Sequence, residues 1–309
     1  MLLVANGSVF TRNAQTPFIP NGAVTIDGDT IVEVGPECEL KAKYPDAEYV
    51  DAQGNLIMPG LVNCHTHIYS GLARDLAIKG CNPTNFLENL EQQWWKIDDN
   101  LTLDGTKASA YATILDSIRD GVTTIFDHHA SFCEIPGSLF TIKDAAQELG
   151  MRSCLCYEVS DRRGQEKCDQ AIAENAEFAQ WAAKERRDND NHMIAAMPNV
   201  GWCEAMTMLF ENNAKMASKY FDRKLGVLEP GAAADVIVMD YKPFTPLSEE
   251  NIDGHMLFGM MGKNCRTTII NGRVLYKDRE FVGIDEDKIN AWTMAESKKL
   301  WSTLNDRAY

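Results

Sequence analysis

The histidines at positions 65 and 67 are the residues of this sequence whose type and spacing best suit chemistry. They close a mostly apolar segment, residues 56–64, that is typical of a strand buried on both faces. Because side chains alternate along a strand, both imidazoles leave it on the same side and can reach one metal ion. Neutral imidazole binds ions such as Zn(II) and Fe(II). His65 and His67 are therefore predicted to ligate one divalent metal, Zn or Fe(II), although the spacing alone also fits two incidental histidines beside a loop.

Polar side chains also follow the next predicted strand, at residues 122–127. Asp127, His128 and His129 stand where that strand ends, and the carboxyl ends of barrel strands are where active sites are built. His128 and His129 are therefore candidates for substrate binding, and a capping or loop role is an equal alternative. Asp127 either orients a ligand histidine by accepting its second N–H or caps a turn or a helix.

Two tryptophans and two further histidines need separate interpretations. Trp94 and Trp95 lie in a segment with a helical pattern, residues 84–97. Trp94 is a candidate substrate-binding residue in a hydrophobic lid, while packing in the core explains it as well. His192 is predicted to begin a strand at the edge of the sheet away from the site, and His255 is predicted to be structural.

Strands that alternate with helices must position these residues. Such alternation is typical of right-handed βαβ units around a parallel sheet. The predicted strands cover residues 56–65, 122–127, 151–157 and 192–197, and the predicted helices cover residues 84–97, 104–119, 140–149, 165–187 and 202–221. In the helix at 165–187, one apolar stripe is formed by Cys168, Ile172, Ala176, Ala179 and Ala183.

Short strands separated by turns dominate both ends of the chain. Asn6-Gly7 and Asn271-Gly272 are strong turn pairs. The segments 1–55 and 222–284 are predicted to pair into one small β domain built from both termini, on either side of a core at 56–221. A final helix is expected within 285–309.

Four segments resemble motifs of one enzyme superfamily. Gly54-Asn-Leu-Ile-Met-Pro-Gly-Leu-Val-Asn-Cys-His-Thr-His67 resembles the first-strand motif of the amidohydrolase superfamily, in its cytosine-deaminase and chlorohydrolase branch. Gly121-Val-Thr-Thr-Ile-Phe-Asp-His-His is similar to the second strand of that branch. The segment 226–240 resembles its glycine-rich return to the β-sandwich, and Asn271-Gly-Arg-Val-Leu-Tyr resembles its closing strands.

The resemblance implies a (β/α)8 TIM barrel with a composite β-sandwich made from both termini. It also implies hydrolysis of a C–N or C–Cl bond of a nitrogen heterocycle by metal-activated water. His65 and His67 would supply two of the metal ligands. In this family the other ligands, a histidine and an aspartate, come from strands five and eight. A glutamate near that histidine shuttles protons, and a strand-six histidine assists.

Those later motifs do not follow Met197 in this sequence. The core offers four parallel-type strands where a closed barrel needs eight, which predicts an internal gap at Met197–Pro198 that spans strands five to eight. The catalytic residues beyond the metal ligands are therefore unknown. The alternative function is an internally truncated, inactive protein with a structural or interaction role. A half-barrel dimer would lack the same ligand types in both copies. A binuclear variant would need a bridging lysine at a strand end, which the predicted strands do not offer.

Composition sets the remaining expectations. The chain has 309 residues, 45% of them hydrophobic, and a formal net charge of -15. That charge opposes binding to nucleic acid or to an anionic membrane surface. Nine scattered cysteines and the absence of a secretory pattern at Met1 predict a reduced, cytoplasmic protein. No membrane span is expected. The expected partners are a small heterocyclic substrate and, because such enzymes commonly dimerise, a second copy of the chain.

Overall fold

The computed structural model describes most residues of the chain. Those residues are 1–74, 76–197, 213–243, 245–248, 252, 255–256 and 265–306. The strands are Leu2–Phe10 (β1), Phe18–Asp27 (β2), Thr30–Pro36 (β3), Glu48–Asp51 (β4), Leu56–Pro59 (β5), Leu61–Thr66 (β6), Val122–His129 (β7), Arg152–Tyr157 (β8), Ile194–Ala196 (β9), Val236–Met239 (β10), Cys265–Ile270 (β11), Arg273–Lys277 (β12) and Glu280–Phe281 (β13).

Eight α-helical segments accompany these strands in the described ranges. They are Glu37–Lys43 (α1), Phe86–Asn89 (α2), Trp95–Asp98 (α3), Leu103–Arg119 (α4), Ser138–Leu149 (α5), Gln165–Asn189 (α6), Asn213–Phe221 (α7) and Glu286–Asp306 (α8). A 3-10 helix covers Ile68–Ala73, and a π-helical stretch, Leu90–Trp94, joins α2 to α3. Within the described ranges, none of the helices has the length and apolar character needed to cross a bilayer.

The chain forms two compact units. One comprises residues 1–63, 117–124 and 203–284, and the other comprises residues 64–116, 125–202 and 285–309.

A nine-stranded sheet built from both ends of the chain organises the first unit. Its order is β13-β12-β11-β10-β5-β1-β2-β3, with β4 paired to β1. The two ends meet where β5 runs antiparallel to β10, with Ile57 opposite Val238. Val4, Val24 and Ile269 are fully buried in the same apolar cluster as these two residues. Strands from both ends of the chain therefore belong to one sheet, and the strand that joins them, β5, comes from the segment that the sequence analysis assigned to the core.

The prediction of a turn at Asn6-Gly7 is wrong. Strand β1 continues through both residues, and its register against β2 shifts on either side of Gly7. Asn6 takes the left-handed conformation that turn residues adopt, with φ of 59°, but here it serves an irregularity within a strand. A Cβ on Gly7 would lie 2.2 Å from the carbonyl oxygen of Asn55. The glycine is therefore needed for close backbone approach and not for a chain reversal.

The single buried strand predicted at residues 56–65 is two strands in different sheets. Gly60 separates the two strands: β5 before it belongs to the nine-stranded sheet, and β6 after it is the first strand of a second sheet. A Cβ on Gly60 would lie 2.3 Å from the side chain of Thr123, which explains a glycine at this crossing. All four residues of β5 are buried, whereas in β6 only Val62 is. The continuous apolar segment at residues 56–64 thus forms two strands that follow each other in the chain.

The second sheet has four strands in the order β6-β7-β8-β9. Strands β8 and β9 pair in parallel, with Cys154 opposite Ala195, and α6 connects them in the chain. The α/β class predicted from strand and helix alternation is confirmed. The predicted gap at Met197–Pro198 and the first half of the predicted helix at 202–221 lie at residues 198–212, outside the described part of the chain.

The apolar stripe predicted for α6 is not its buried face. Ile172 is 50% exposed, whereas Ala171, Glu174, Phe178 and Ala182 are buried. The buried glutamate explains the difference, because its carboxylate accepts hydrogen bonds from the backbone N–H groups of Gly137 and Leu139 at 2.7 and 2.8 Å. A polar residue therefore lies on the buried face, whereas the three alanines of the predicted stripe, Ala176, Ala179 and Ala183, are exposed.

Candidate active site

The structure brings His65 and His67 together at the end of β6. Their ring centroids are 4.9 Å apart, and the two rings meet edge to face. His65 is the more exposed of the two residues. Burial, and secondarily the neighbouring His67, lowers the pKa of His65. A lowered pKa favours the neutral imidazole, which is the form that ligates metal ions.

The ring of His67 is held in one tautomer. Its Nδ1 lies 3.0 Å from the carbonyl oxygen of His128. A carbonyl only accepts, so in the neutral ring Nδ1 carries the proton and Nε2 has the free lone pair. Histidines that ligate metals are commonly oriented by such a bond from the other ring nitrogen.

Asp127 does not contact the ring of His67 in the manner that the sequence allowed. Its Oδ1 instead accepts a 2.6 Å hydrogen bond from the backbone N–H of Ile68, at the start of the 3-10 helix. Of the two alternatives for Asp127, the structure favours the cap. The group that accepts from the histidine ring is the neighbouring carbonyl of His128, which a sequence pattern does not reveal.

A cavity of about 550 Å³ opens beside the histidine pair, within the second compact unit. Both histidines line it, and Trp94 lies on its wall with its ring centroid 6.2 Å from that of His67. The other polar groups along its wall come from Thr66, Ser70, Arg74, Gln93 and Thr113. Sequence reasoning missed these residues, because they come from different strand and helical segments and carry no motif.

His128 and His129 have different surroundings, and neither is among the residues that line the cavity. The His128 ring is half-buried, with its centroid 5.7 Å from that of His67. Burial lowers the pKa of His128, and the nearby Glu158 opposes that effect. His129 is fully buried, and its Nε2 lies 2.9 Å from the hydroxyl of Ser131. Burial lowers the pKa of His129 to about 3. Substrate binding by either residue stays a prediction.

The remaining histidines lie apart from this group in the chain. His192 precedes β9, and its Nε2 is 2.8 Å from a carboxylate oxygen of Asp190. His255 hydrogen-bonds the hydroxyl of Tyr241 within the first unit. Each of the two has a local hydrogen-bond partner, and a structural role for His255 stays a prediction.

A buried ionic network near the carboxyl end of β8 was not predicted. Arg162 donates to the carboxylate of Asp98 on α3 and, at 3.2 Å, to Glu158. Its guanidinium also lies over the ring of Phe132, 4.1 Å from the centroid. Burial raises the pKa of Asp98 to about 7, although the positive charge of Arg162 opposes this. The spacing of Glu158 and Arg162 is a weak signal for an ion pair, and the sequence has no signal that joins them to Asp98.

The donor set of this site fits part of a zinc centre. Two imidazoles, one of them with its tautomer fixed, are suitable ligands for Zn(II). A catalytic zinc centre usually has three protein ligands. Within the described ranges, no group of three or more histidine, cysteine, aspartate or glutamate side chains is arranged to hold a metal ion. The described residues at this site therefore offer two imidazoles, one fewer than the three protein ligands usual in such a centre.

Residues 56–220, more than half of the chain, match the family model described as the amidohydrolase family. A curated relative, the 5'-deoxyadenosine deaminase of Methanococcoides burtonii, is 30% identical over 59% of this chain. That match spans 39% of the relative's own length. The chain thus covers less than half of the length of this relative.

Two solved structures share the fold of the chain. The atrazine chlorohydrolase TrzN of Arthrobacter aurescens TC1, complexed with zinc, superposes with a TM-score of 0.65 at 17% identity, over 96% of this chain and 100% of that one. An adenosine deaminase of Xanthomonas campestris with bound zinc gives a TM-score of 0.65 at 14% identity, over 97% of this chain and 98% of that one. At these identities the likeness concerns the fold alone.

Proposed function

Because the chain belongs to the amidohydrolase family, we propose that it is a metal-dependent hydrolase of nitrogen heterocycles, cleaving a C–N bond as a deaminase does or a C–Cl bond. The observation that carries the proposal is the pair His65 and His67 on the wall of a cavity, with Nδ1 of His67 bonded to a carbonyl, which leaves the lone pair of the neutral ring on Nε2. The names of the matching relatives, a deaminase and a chlorohydrolase, support this reaction class.

His65 and His67 are the proposed metal ligands. When bound, a Zn or Fe(II) ion supplies a Lewis acid that makes water nucleophilic near neutral pH. Trp94 is the proposed substrate contact, because its ring lies on the cavity wall beside His67 and offers an apolar surface to a planar heterocycle. A volume of about 550 Å³ is typical of small-molecule sites.

A second candidate function is a family member that has lost catalysis and acts as a structural or interaction protein. The shortfall in ligands favours this alternative, because the described residues offer two where a catalytic zinc usually has three. In the enzyme hypothesis, the other ligands come from residues outside the described ranges or from a segment that precedes Pro198 in the intact protein.

The metal site is tested by replacing both histidines. We expect the His65→Ala, His67→Ala double variant to lose the zinc that the wild type retains after dialysis, measured by inductively coupled plasma mass spectrometry. His192→Ala is the matched control, because it removes a histidine that has a local carboxylate partner. Equal zinc content in the double variant and the wild type would refute the assignment.

The reaction is tested by removing and restoring the metal. The chelated protein is compared with protein reloaded with Zn(II) or Fe(II) on 5'-deoxyadenosine, adenosine, guanine and atrazine, with release of ammonia or chloride as the signal. Metal-dependent release from one of them supports the hydrolase, and Trp94→Ala should then raise KM more than it lowers kcat. Metal binding without turnover on the whole panel favours the non-catalytic alternative.

A further inference from the structure

Two consecutive residues of β7 hold both the backbone and the ring at His67. His67 is the first residue after β6, where the chain turns into the 3-10 helix. The N–H of Ile68 donates to Oδ1 of Asp127 at 2.6 Å, and the next residue, His128, provides the carbonyl that lies 3.0 Å from Nδ1 of His67. The strand thus contacts the residue pair 67–68 at two points.

Other bonds fix the carbonyl groups of the same pair. The His67 carbonyl accepts from the N–H of Ser70 at 3.0 Å and from its hydroxyl at 2.7 Å. The Ile68 carbonyl accepts from the hydroxyl of Ser109 on α4 at 2.5 Å. The N–H of Ile68 needs a partner from elsewhere, because the first N–H groups of a helix have none within it. Asp127 supplies that partner.

The burial of Asp127 is unfavourable for the free energy of folding. It is fully buried, and its second oxygen, Oδ2, has no hydrogen-bond partner among the described residues. Burial raises the pKa of Asp127 to about 8, while the bond from Ile68 opposes the rise. An unpaired buried oxygen is unfavourable, so a carboxyl group at this position needs a compensating role. An asparagine has the same shape and offers the same accepting oxygen to Ile68.

We propose that Asp127 is a positioning residue for the metal site: it fixes the Ile68 peptide so that His67 keeps its Nδ1–H on the His128 carbonyl and its Nε2 free for the metal. The proposal rests on the metal site proposed above. It assigns to Asp127 no contact with metal or substrate, and its effect passes entirely through His67.

The test compares Asp127→Ala with Asp127→Asn in the full chain. One readout is the dissociation constant for Zn²⁺, measured by competition with a chelating dye. The other is the tautomer of His67 in the metal-free protein, read from its ¹⁵N shifts. We expect Asp127→Ala to weaken zinc binding roughly 10- to 100-fold, as loss of an outer-shell partner does, and to shift His67 toward the Nε2–H tautomer. Asp127→Asn should stay close to the wild type in both readouts.

Glu174→Ala is the matched control for general damage to the fold. Glu174 is also a buried carboxyl group that accepts backbone N–H bonds at the start of a helix, but that helix is α5. The control should lower the melting temperature without changing zinc affinity or the His67 tautomer. The proposal is overturned if Asp127→Ala leaves both readouts at the wild-type values, or if Glu174→Ala changes them equally.

Failure of the metal site itself gives a different pattern. In that case His67→Ala binds zinc as the wild type does, or the wild type binds none, and the metal proposal falls. The tautomer measurement in the metal-free protein still decides whether Asp127 fixes the ring of His67. A wild-type His67 that carries its proton on Nε2 would overturn the role of Asp127 directly.

Discussion

Adjacent histidines on β7 occupy opposite environments. His128 is half-buried and close to the ring of His67, whereas His129 is fully enclosed beside Ser131 and the ring of Tyr157. The alternation of side chains along a strand separates the two environments. Of these two consecutive histidines, His128 therefore lies beside the ring of His67, and His129 is held neutral by burial.

The buried histidine predicts an acid-dependent loss of stability. The pKa of His129 is about 3 in the folded chain, below its ordinary value of 6.5. The stabilisation of the folded state by neutral His129 is therefore fully present above pH 6.5. As the pH falls from 6.5 toward 3, the free energy of unfolding decreases by up to about 1.4 kcal/mol per pH unit. We expect the stability difference between the wild type and His129→Asn to shrink between pH 7 and pH 5 in urea unfolding.

Two buried aspartates change the stability of the protein in the opposite direction over that pH range. The raised pKa values of Asp98 and Asp127 add stability as the pH falls, so only the difference between the two proteins isolates His129. His192→Asn reports the effect of removing a histidine elsewhere in the chain. Parallel pH profiles of the wild type and His129→Asn would contradict the prediction.

At the scale of elements, turns with left-handed residues set the register of the composite sheet. Asn271 and Gly272 join β11 to β12 with φ values of 50° and 75°, as a two-residue hairpin of this kind requires. A Cβ on Gly272 would lie 1.7 Å from the carbonyl oxygen of Gly28. The close approach of the turn at Gly28 is therefore a second reason for glycine at position 272, in addition to its positive φ.

We expect Gly272→Ala to destabilise the protein more than its backbone angle explains. Gly283 is the matched control, because its φ of 74° is nearly the same and a Cβ added there would meet no described atom within 4 Å. Gly283→Ala should cost about 1 kcal/mol for the left-handed backbone. Gly272→Ala should cost several times as much, on the order of 3 kcal/mol or more, because backbone must move. Equal free energies of unfolding for Gly272→Ala and Gly283→Ala would show that the turn at Gly28 moves aside at no cost in stability.

Some elements were predictable because local signals and burial agree. The helix α5 ends at Leu149, where the predicted helix 140–149 also ends, and the left-handed Gly150 follows it; the hairpin at Asn271 forms at its predicted turn pair. Predictions failed where tertiary contacts decide. Asn6 serves a strand irregularity, Gly60 divides one apolar run between two sheets, and Glu174 lies on the buried face of α6 because two backbone N–H groups need it.

Of the residues that line the candidate site, the sequence pointed only to His65, His67 and Trp94. His-x-His at a strand end fixes the side on which both rings lie. The bond from His67 to the His128 carbonyl and the cap by Asp127 depend on how β6 and β7 are placed, and the sequence does not encode that placement locally. The meeting of Arg162 with Asp98 joins residues 64 positions apart.

For the whole molecule, we propose that an internal segment separates Met197 from Pro198 in the intact protein. The sequence shown has a mass of 34.5 kDa. Mass spectrometry of the protein purified from its natural source should then give a clearly larger value, and the added peptides should map between these two residues. A mass of 34.5 kDa would instead establish a real internal deletion, and turnover would not be expected.

The pairing of β5 with β10 has a consequence for how the protein is made. Ile57 and Val238 are opposite each other in the sheet but far apart in the chain. Ribosomes add roughly 5 to 20 residues per second, so the apolar strand β5 waits on the order of ten seconds or longer for its partner. During that interval its sheet edge is open to other chains. We expect newly made protein to depend on a chaperone that covers this edge until β10 emerges.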